Sequence, residues 1–339
     1  MTIDQLLAGY EKRFRDAFLE GVAEITSRAQ IGAIISALER GDINAALDAM
    51  YIEESAFRAF ERAMNDAFGD FGNANIQELG QPVDQFGARF VFRFNVRNPR
   101  AEEWLRENSS GLVTRTVEEQ REVIRDALQQ GLERGDNPRR TALDIVGRID
   151  KNQGRRTGGI VGLSAPMEQW ARNAQAELEA GEFADYKTRK MRDRRLDRLI
   201  TKAEKEGRKL SSAEIYTMLT RYKDRLLKLR GDTIAKTESI ASLSASRYEG
   251  LKQLLESGKI VEDQIRRYWD ATNDARTRPD HLAVEAETAE RGIGLNDVYI
   301  VGGVPMKHPH DPDGGAGQVI NCRCTERIKI DWLRNAING

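Results

Sequence analysis

Cysteine and histidine are scarce in this chain. Its 339 residues include two cysteines, Cys322 and Cys324, and three histidines, His281, His308 and His310. Two cysteines one residue apart cannot build a disulfide framework, which excludes the small cross-linked secreted class. Proline is also rare, and aromatic residues make up 7% of the chain. No apolar run approaches the roughly 20 residues needed to span a bilayer. The first residues, MTIDQLLAGYEKRF, lack a basic start followed by an apolar core, so no signal peptide is expected. A strong overall charge is absent too, at net -1. These absences point to a protein of a reducing cytoplasm with no membrane partner, long enough to hold two or three domains.

The near-neutral total conceals an asymmetry. Residues 1–80 carry 14 acidic and 7 basic side chains, whereas residues 187–230 carry 16 basic and 6 acidic ones. The basic block begins with Lys187, Arg189, Lys190, Arg192, Arg194, Arg195 and Arg198, which are the candidates for contact with nucleic-acid phosphates. Only Tyr216 and Tyr222 interleave them, so stacking on single-stranded bases is not expected. The competing reading is a set of helices with charged outer faces.

The pattern is mostly helical. Leu6, Tyr10, Phe14 and Phe18 recur on one face. Asp42 is placed to cap a helix from Ile43 to Phe68, and Gly69 to Pro82 reads as a loop. Phe90, Phe92, Phe94 and Val96 alternate as in a strand or extended arm, closed by Asn98-Pro99. Capping boxes are expected at Thr116–Glu119 and Ser211–Glu214. A basic helix is expected from Tyr186 to Ala203, and a helix after Ser211 that stops near Gly231 before another begins. Arg156 to Gly162 reads RTGGIVG, which lacks the Gly-Lys-Ser/Thr ending of a phosphate loop. The last eighty residues differ. They should form a strand over Ile265–Asp270, a short helix opened by Pro279, a hairpin turning at Gly302-Gly303, and a strand-like segment from Val319 to Cys324. The expected class is mostly α with a small C-terminal α+β module. Expected divisions are an acidic helical region (1–80), a helical middle (81–260) and the module (261–339).

Several chemistries compete in that module. His281, His308, His310, Cys322 and Cys324 include enough nitrogen and sulfur donors for zinc, although Cys-x-Cys is tighter than the usual finger spacing. A thiol nucleophile activated by His281 would need a third orienting group, and none stands out. The favoured reading is structural and free of metal. In it Asp270, Asp274, Arg276 and Arg278 form a buried or half-buried ion-pair network beside His281, and the cysteines pack as small apolar groups; Glu238 either reaches Arg276 or Arg278 or is placed by the helix macrodipole alone.

The order of these residues also resembles a known signature. Trp269-Asp270, Asp274, Arg276-Thr277-Arg278, His281, then Pro309-His310-Asp311-Pro312 and Asn321-Cys322-Arg323-Cys324 are similar to the phage Mu F-like family of minor head (head morphogenesis) proteins. Thr233–Glu238, TIAKTE, resembles the helix that precedes the signature, and Arg93 to Thr114 resembles an upstream region. The resemblance covers about Phe90 to Lys329. It implies a non-enzymatic structural protein of a tailed phage or prophage, assembled in the bacterial cytoplasm and located in the virion head. Portal, scaffold and major capsid proteins, and double-stranded DNA, would be its partners. The alternatives are a module of this family carrying enzymatic or toxin activity, and a non-specific DNA-binding protein.

Overall fold

A computed structural model describes residues 2–332 apart from Gln81, Gln85 and Gln153. Most of the chain is helical. In order come α1 (Ile3–Arg28), α2 (Ile31–Glu39), α3 (Ile43–Asp48), α4 (Arg58–Glu78), α5 (Pro99–Leu105), α6 (Gly111–Glu133) and α7 (Pro138–Val146). The strands β1 (Arg148–Asp150) and β2 (Arg155–Thr157) follow, then α8 (Ala165–Ala180), α9 (Phe183–Thr188), α10 (Asp197–Lys205) and α11 (Ser212–Glu256). The C-terminal part holds β3 (Ile265–Asp270), α12 (Pro279–Thr288), β4 (Tyr299–Val301), β5 (Val304–Met306), α13 (Gly315–Val319) and β6 (Thr325–Ile330). The strands pair antiparallel in three two-stranded sheets, β1 with β2, β3 with β6, and β4 with β5. The architecture is thus mostly α with a small α+β module at the C-terminal end.

The chain does not divide into the consecutive regions 1–80, 81–260 and 261–339. One compact unit comprises Met1–Arg15, Glu61–Gly111 and Thr233–Gly339; the other comprises Asp16–Phe60 and Leu112–Asp232. Each draws on distant stretches, because the apolar faces that must be covered lie far apart in sequence.

Local signals set many element ends. Asp42 Oδ1 accepts from the Ala45 N–H at 2.9 Å, and Asn98 accepts from Arg100 ahead of Pro99 in the first turn of α5. Ser211 and Glu214 form a reciprocal capping box at the start of α11. Gly302 and Gly303 both have positive φ, which closes the β4–β5 hairpin.

Other ends are set by packing. The stretch expected to be a loop from Gly69 onward is the last part of α4. Phe71, Ala74 and Ile76 are buried there, and at Gly72 a Cβ would clash with the Phe94 ring. The glycine is therefore a seat for an aromatic ring. Phe90, Phe92, Phe94 and Val96 do pack inward, but the segment lies extended, and an isolated bridge joins Val83 and Arg89 ahead of it. Thr116–Glu119 lies inside α6, so no capping box forms there. Tyr186–Ala203 is broken into α9, a 3-10 turn and α10. The pair Gly231-Asp232 interrupts nothing, since α11 runs unbroken for 45 residues.

Candidate metal centre

The C-terminal module is tied together by Arg267 on β3. Its side chain is fully buried and pairs with Glu326 on β6 at 2.9 Å. The remaining donors go to backbone oxygens of Gly294, Asp297 and Lys307, so the guanidinium is saturated. The rings of Tyr248 and Tyr299 lie 5.1 and 5.2 Å from its central carbon. Sequence reasoning passed over this residue. One signal was available: in the alternation of β3, Arg267 shares a face with the apolar Ile265 and Trp269.

His281 stands in the first turn of α12, which Pro279 opens. The imidazole is 1% exposed and meets the Trp269 indole edge-on at 5.3 Å. Cys322 and Cys324 flank Arg323 in the turn leading into β6, and both are buried. The segment Val319–Cys324 is therefore not a strand, as expected, but the end of α13 and a turn in which Asn321 takes a left-handed φ of 57°. Several hydrogen bonds hold that turn. The Asn321 N–H donates to Thr237 Oγ1 at 3.2 Å, Arg278 donates to the Ile320 carbonyl at 2.8 Å, the Cys322 N–H donates to Val319, and His310 Nε2 donates to the Cys322 carbonyl at 3.0 Å.

The result is a convergence of three donors. Cys324 Sγ lies 3.3 Å and Cys322 Sγ 3.4 Å from His281 Nδ1, and all three atoms lie within 4.8 Å of one another. Tetrahedral bonds of about 2.3 Å to sulfur and 2.0–2.1 Å to nitrogen place such ligands ~3.5 Å apart. The cluster could hold a metal ion. The tautomer suits this. His281 Nε2 lies 2.9 Å from Gln318 Oε1, an oxygen that only accepts, so Nε2 carries the proton and the Nδ1 lone pair faces the sulfurs. Gln318 is itself oriented by donating to Asp280 at 3.1 Å.

The two thiols differ. Hydrogen bonding to Cys324 lowers Cys322 to about 7 against the opposing effect of burial, with the positive charge of Arg278 assisting. Cys324 is pushed up, first by its bond to Cys322 and then by burial. Without a metal, the pair is set to share one proton more readily than to lose both.

The other expected site residues fall elsewhere. Of the five candidate ligands, His308 and His310 stay out of the cluster. His308 Nδ1 bonds to the Pro309 carbonyl and its ring packs on Tyr248. Burial holds His310 down to about 3, so it is neutral, and its buried Nδ1 has no partner among the described residues. The expected buried network of Asp270, Asp274, Arg276 and Arg278 is not formed. Arg276 pairs with Asp274 at 2.6 Å on the surface, where the arginine side chain is 81% exposed. Asp270 is exposed, with Thr325 as its hydrogen-bonding neighbour at 3.4 Å. Glu238 is half-buried on α11 beside Thr237. The short turn Asn273–Arg278 lets Asp274 bond to the nearest backbone and guanidinium, which keeps both at the surface.

In the basic block, four of the seven candidates are engaged in ion pairs: Lys187 with Glu204, Arg189 with Glu177, Arg192 with Asp197, and Arg195 with Asp193. Lys190, Arg194 and Arg198 have no carboxylate partner among the described residues. Among those residues no helix is long and apolar enough to cross a membrane. No protein-family model, curated protein or solved structure matches the chain.

Proposed function

We propose that this chain is a structural protein of a tailed-phage or prophage head, of the minor head type its sequence resembles. In this reading it acts in head assembly near the portal or in handling packaged DNA, and a zinc ion bound by His281, Cys322 and Cys324 fixes its C-terminal module. The observation that supports it is convergence. The segments carrying the resemblance lie on α11, β3, α12 and the turns around Pro309 and Cys322, yet Thr237, Trp269, Arg278, His281 and His310 all touch the two-cysteine turn or one another. A resemblance made of unrelated fragments would have no reason to assemble one site. Zinc suits a set of two thiols and one imidazole, and bound there it would supply a rigid cross-link between α12 and the turn ahead of β6. The partners on this reading are portal, scaffold and major capsid proteins, and duplex DNA at the unpaired Lys190, Arg194 and Arg198.

Quantitative proteomics of purified particles tests the reading. The chain should be present at a copy number well below that of the major capsid protein. Its absence from full and empty heads alike would remove the proposal.

A further inference from the structure

Next to the cysteines lies a cavity of about 390 Å³. Four cations line it, Lys236, Arg276, Arg278 and Arg323, against a single carboxylate, Asp274. Asp274 is spent on Arg276, 2.6 Å away. Arg278 gives one donor to the Ile320 carbonyl and keeps the rest. Lys236 and Arg323 are exposed and have no carboxylate partner among the described residues. Among the described residues, Lys236, Arg278 and Arg323 thus give the wall an excess of positive charge, which Asp274 offsets only in part.

The three come from different elements that are individually held in place. Lys236 projects from α11, Arg278 precedes Pro279 at the start of α12, and Arg323 sits between the two anchored cysteines. Like charges lining one concave space repel, and of the three Arg278 alone has a hydrogen bond to the turn among the described residues. An anion bound among them would relieve that repulsion and accept several charge-assisted hydrogen bonds at once. Thr272, Thr277 and Asn321 add neutral polar groups to the wall.

We propose that this pocket binds a phosphate monoester or free phosphate, whose double negative charge and three peripheral oxygens suit a wall lined by three available cations. A cavity of this size admits a terminal group, not the side of a duplex, so on a nucleic acid the ligand would be an end phosphate. The inference rests on charge and shape. It does not depend on the head-protein reading, and virion proteomics and phosphate titration succeed or fail independently.

The test is binding to the full chain. Calorimetry measures inorganic phosphate, and fluorescence anisotropy compares a short 5′-phosphorylated oligonucleotide with its 5′-hydroxyl counterpart. Saturable binding of phosphate, or a preference for the phosphorylated end, is expected. Lys236→Gln and Arg323→Gln should each weaken it about tenfold, the effect of losing one charge-assisted bond. Arg291→Gln, exposed and outside the pocket, should leave it unchanged. Binding of inorganic phosphate without an end preference identifies the free ion as ligand, and an end preference identifies the terminal ester. Equal affinity for both oligonucleotides with no phosphate binding would overturn the proposal. So would pocket variants that fold normally by circular dichroism and bind as the parent does.

Discussion

Arg267 and Glu326 lie diagonally across the β3–β6 pair, where Arg267 faces Ile328 and Glu326 faces Trp269, and their fully buried side chains meet at 2.9 Å. Removing one partner of such a pair strands the other charge away from water. Arg267→Met should therefore destabilise the protein by about 3–5 kcal/mol. Arg267→Met combined with Glu326→Leu should recover only part of the loss, because the carbonyls of Gly294, Asp297 and Lys307 still lack their donor. Arg276→Ala should leave the denaturation midpoint where it is, since its pair with Asp274 is on the surface. Denaturant melts of the three variants give the ranking. Equal midpoints for Arg267→Met and the parent protein would contradict the role assigned to the buried pair.

Protein prepared without chelator should contain about one zinc per chain, the stoichiometry of a single Cys2His site. Because a metal at a site absent from the unfolded chain contributes to folding free energy, a strong chelator should lower the melting temperature. Cys322→Ser should lose both the metal and the chelator response. Elemental analysis showing no metal, with a melting curve indifferent to chelator, would return the cysteines to the role of packed apolar groups. Gln318→Leu separates orientation from ligation. It keeps all three ligands but frees Nε2, so metal should be held more weakly with the same stoichiometry.

Acid should weaken the protein through His308. Burial depresses its pKa below the usual 6.5, and Arg267 adds to the effect, while Asp311, Glu326 and the bond to the Pro309 carbonyl oppose it. The folded state therefore binds this proton less readily than the unfolded chain. Stability from this group is fully present above about 6.5 and falls as pH drops below it, when the unfolded state takes up the proton. Urea midpoints measured between pH 7.5 and 5 should decline, and His308→Asn should flatten that decline while keeping a donor for Pro309. An unchanged slope in the variant would assign the acid sensitivity to other groups.

What the sequence determined by itself is whatever closes within a few residues. Ser211 and Glu214 cap each other, Asn98 caps α5 ahead of Pro99, and the two glycines at 302 and 303 turn a hairpin. The span of β3 and the start of α12 at Pro279 were legible for the same reason. Each depends on backbone groups three or four positions away, and those neighbours are written next to them in the chain. The clustering of histidine and cysteine in the last sixty residues also marked where site chemistry would lie.

Only the tertiary structure decided which of those residues meet. Whether Gly72 ends a helix or seats Phe94 is settled by a ring 22 positions later. Whether an arginine is buried is settled by what covers it. Arg267 finds Glu326 and three carbonyls from remote turns, while Arg276 finds Asp274 two residues away and remains in water. His281 reaches the cysteines across more than forty residues, but His310, much closer in sequence, spends Nε2 on the Cys322 carbonyl and stays out of the cluster. A buried charge or a metal ligand needs its partners at fixed distances of about 3 Å, and periodicity along the chain carries no information about distances between segments that meet only in the folded state.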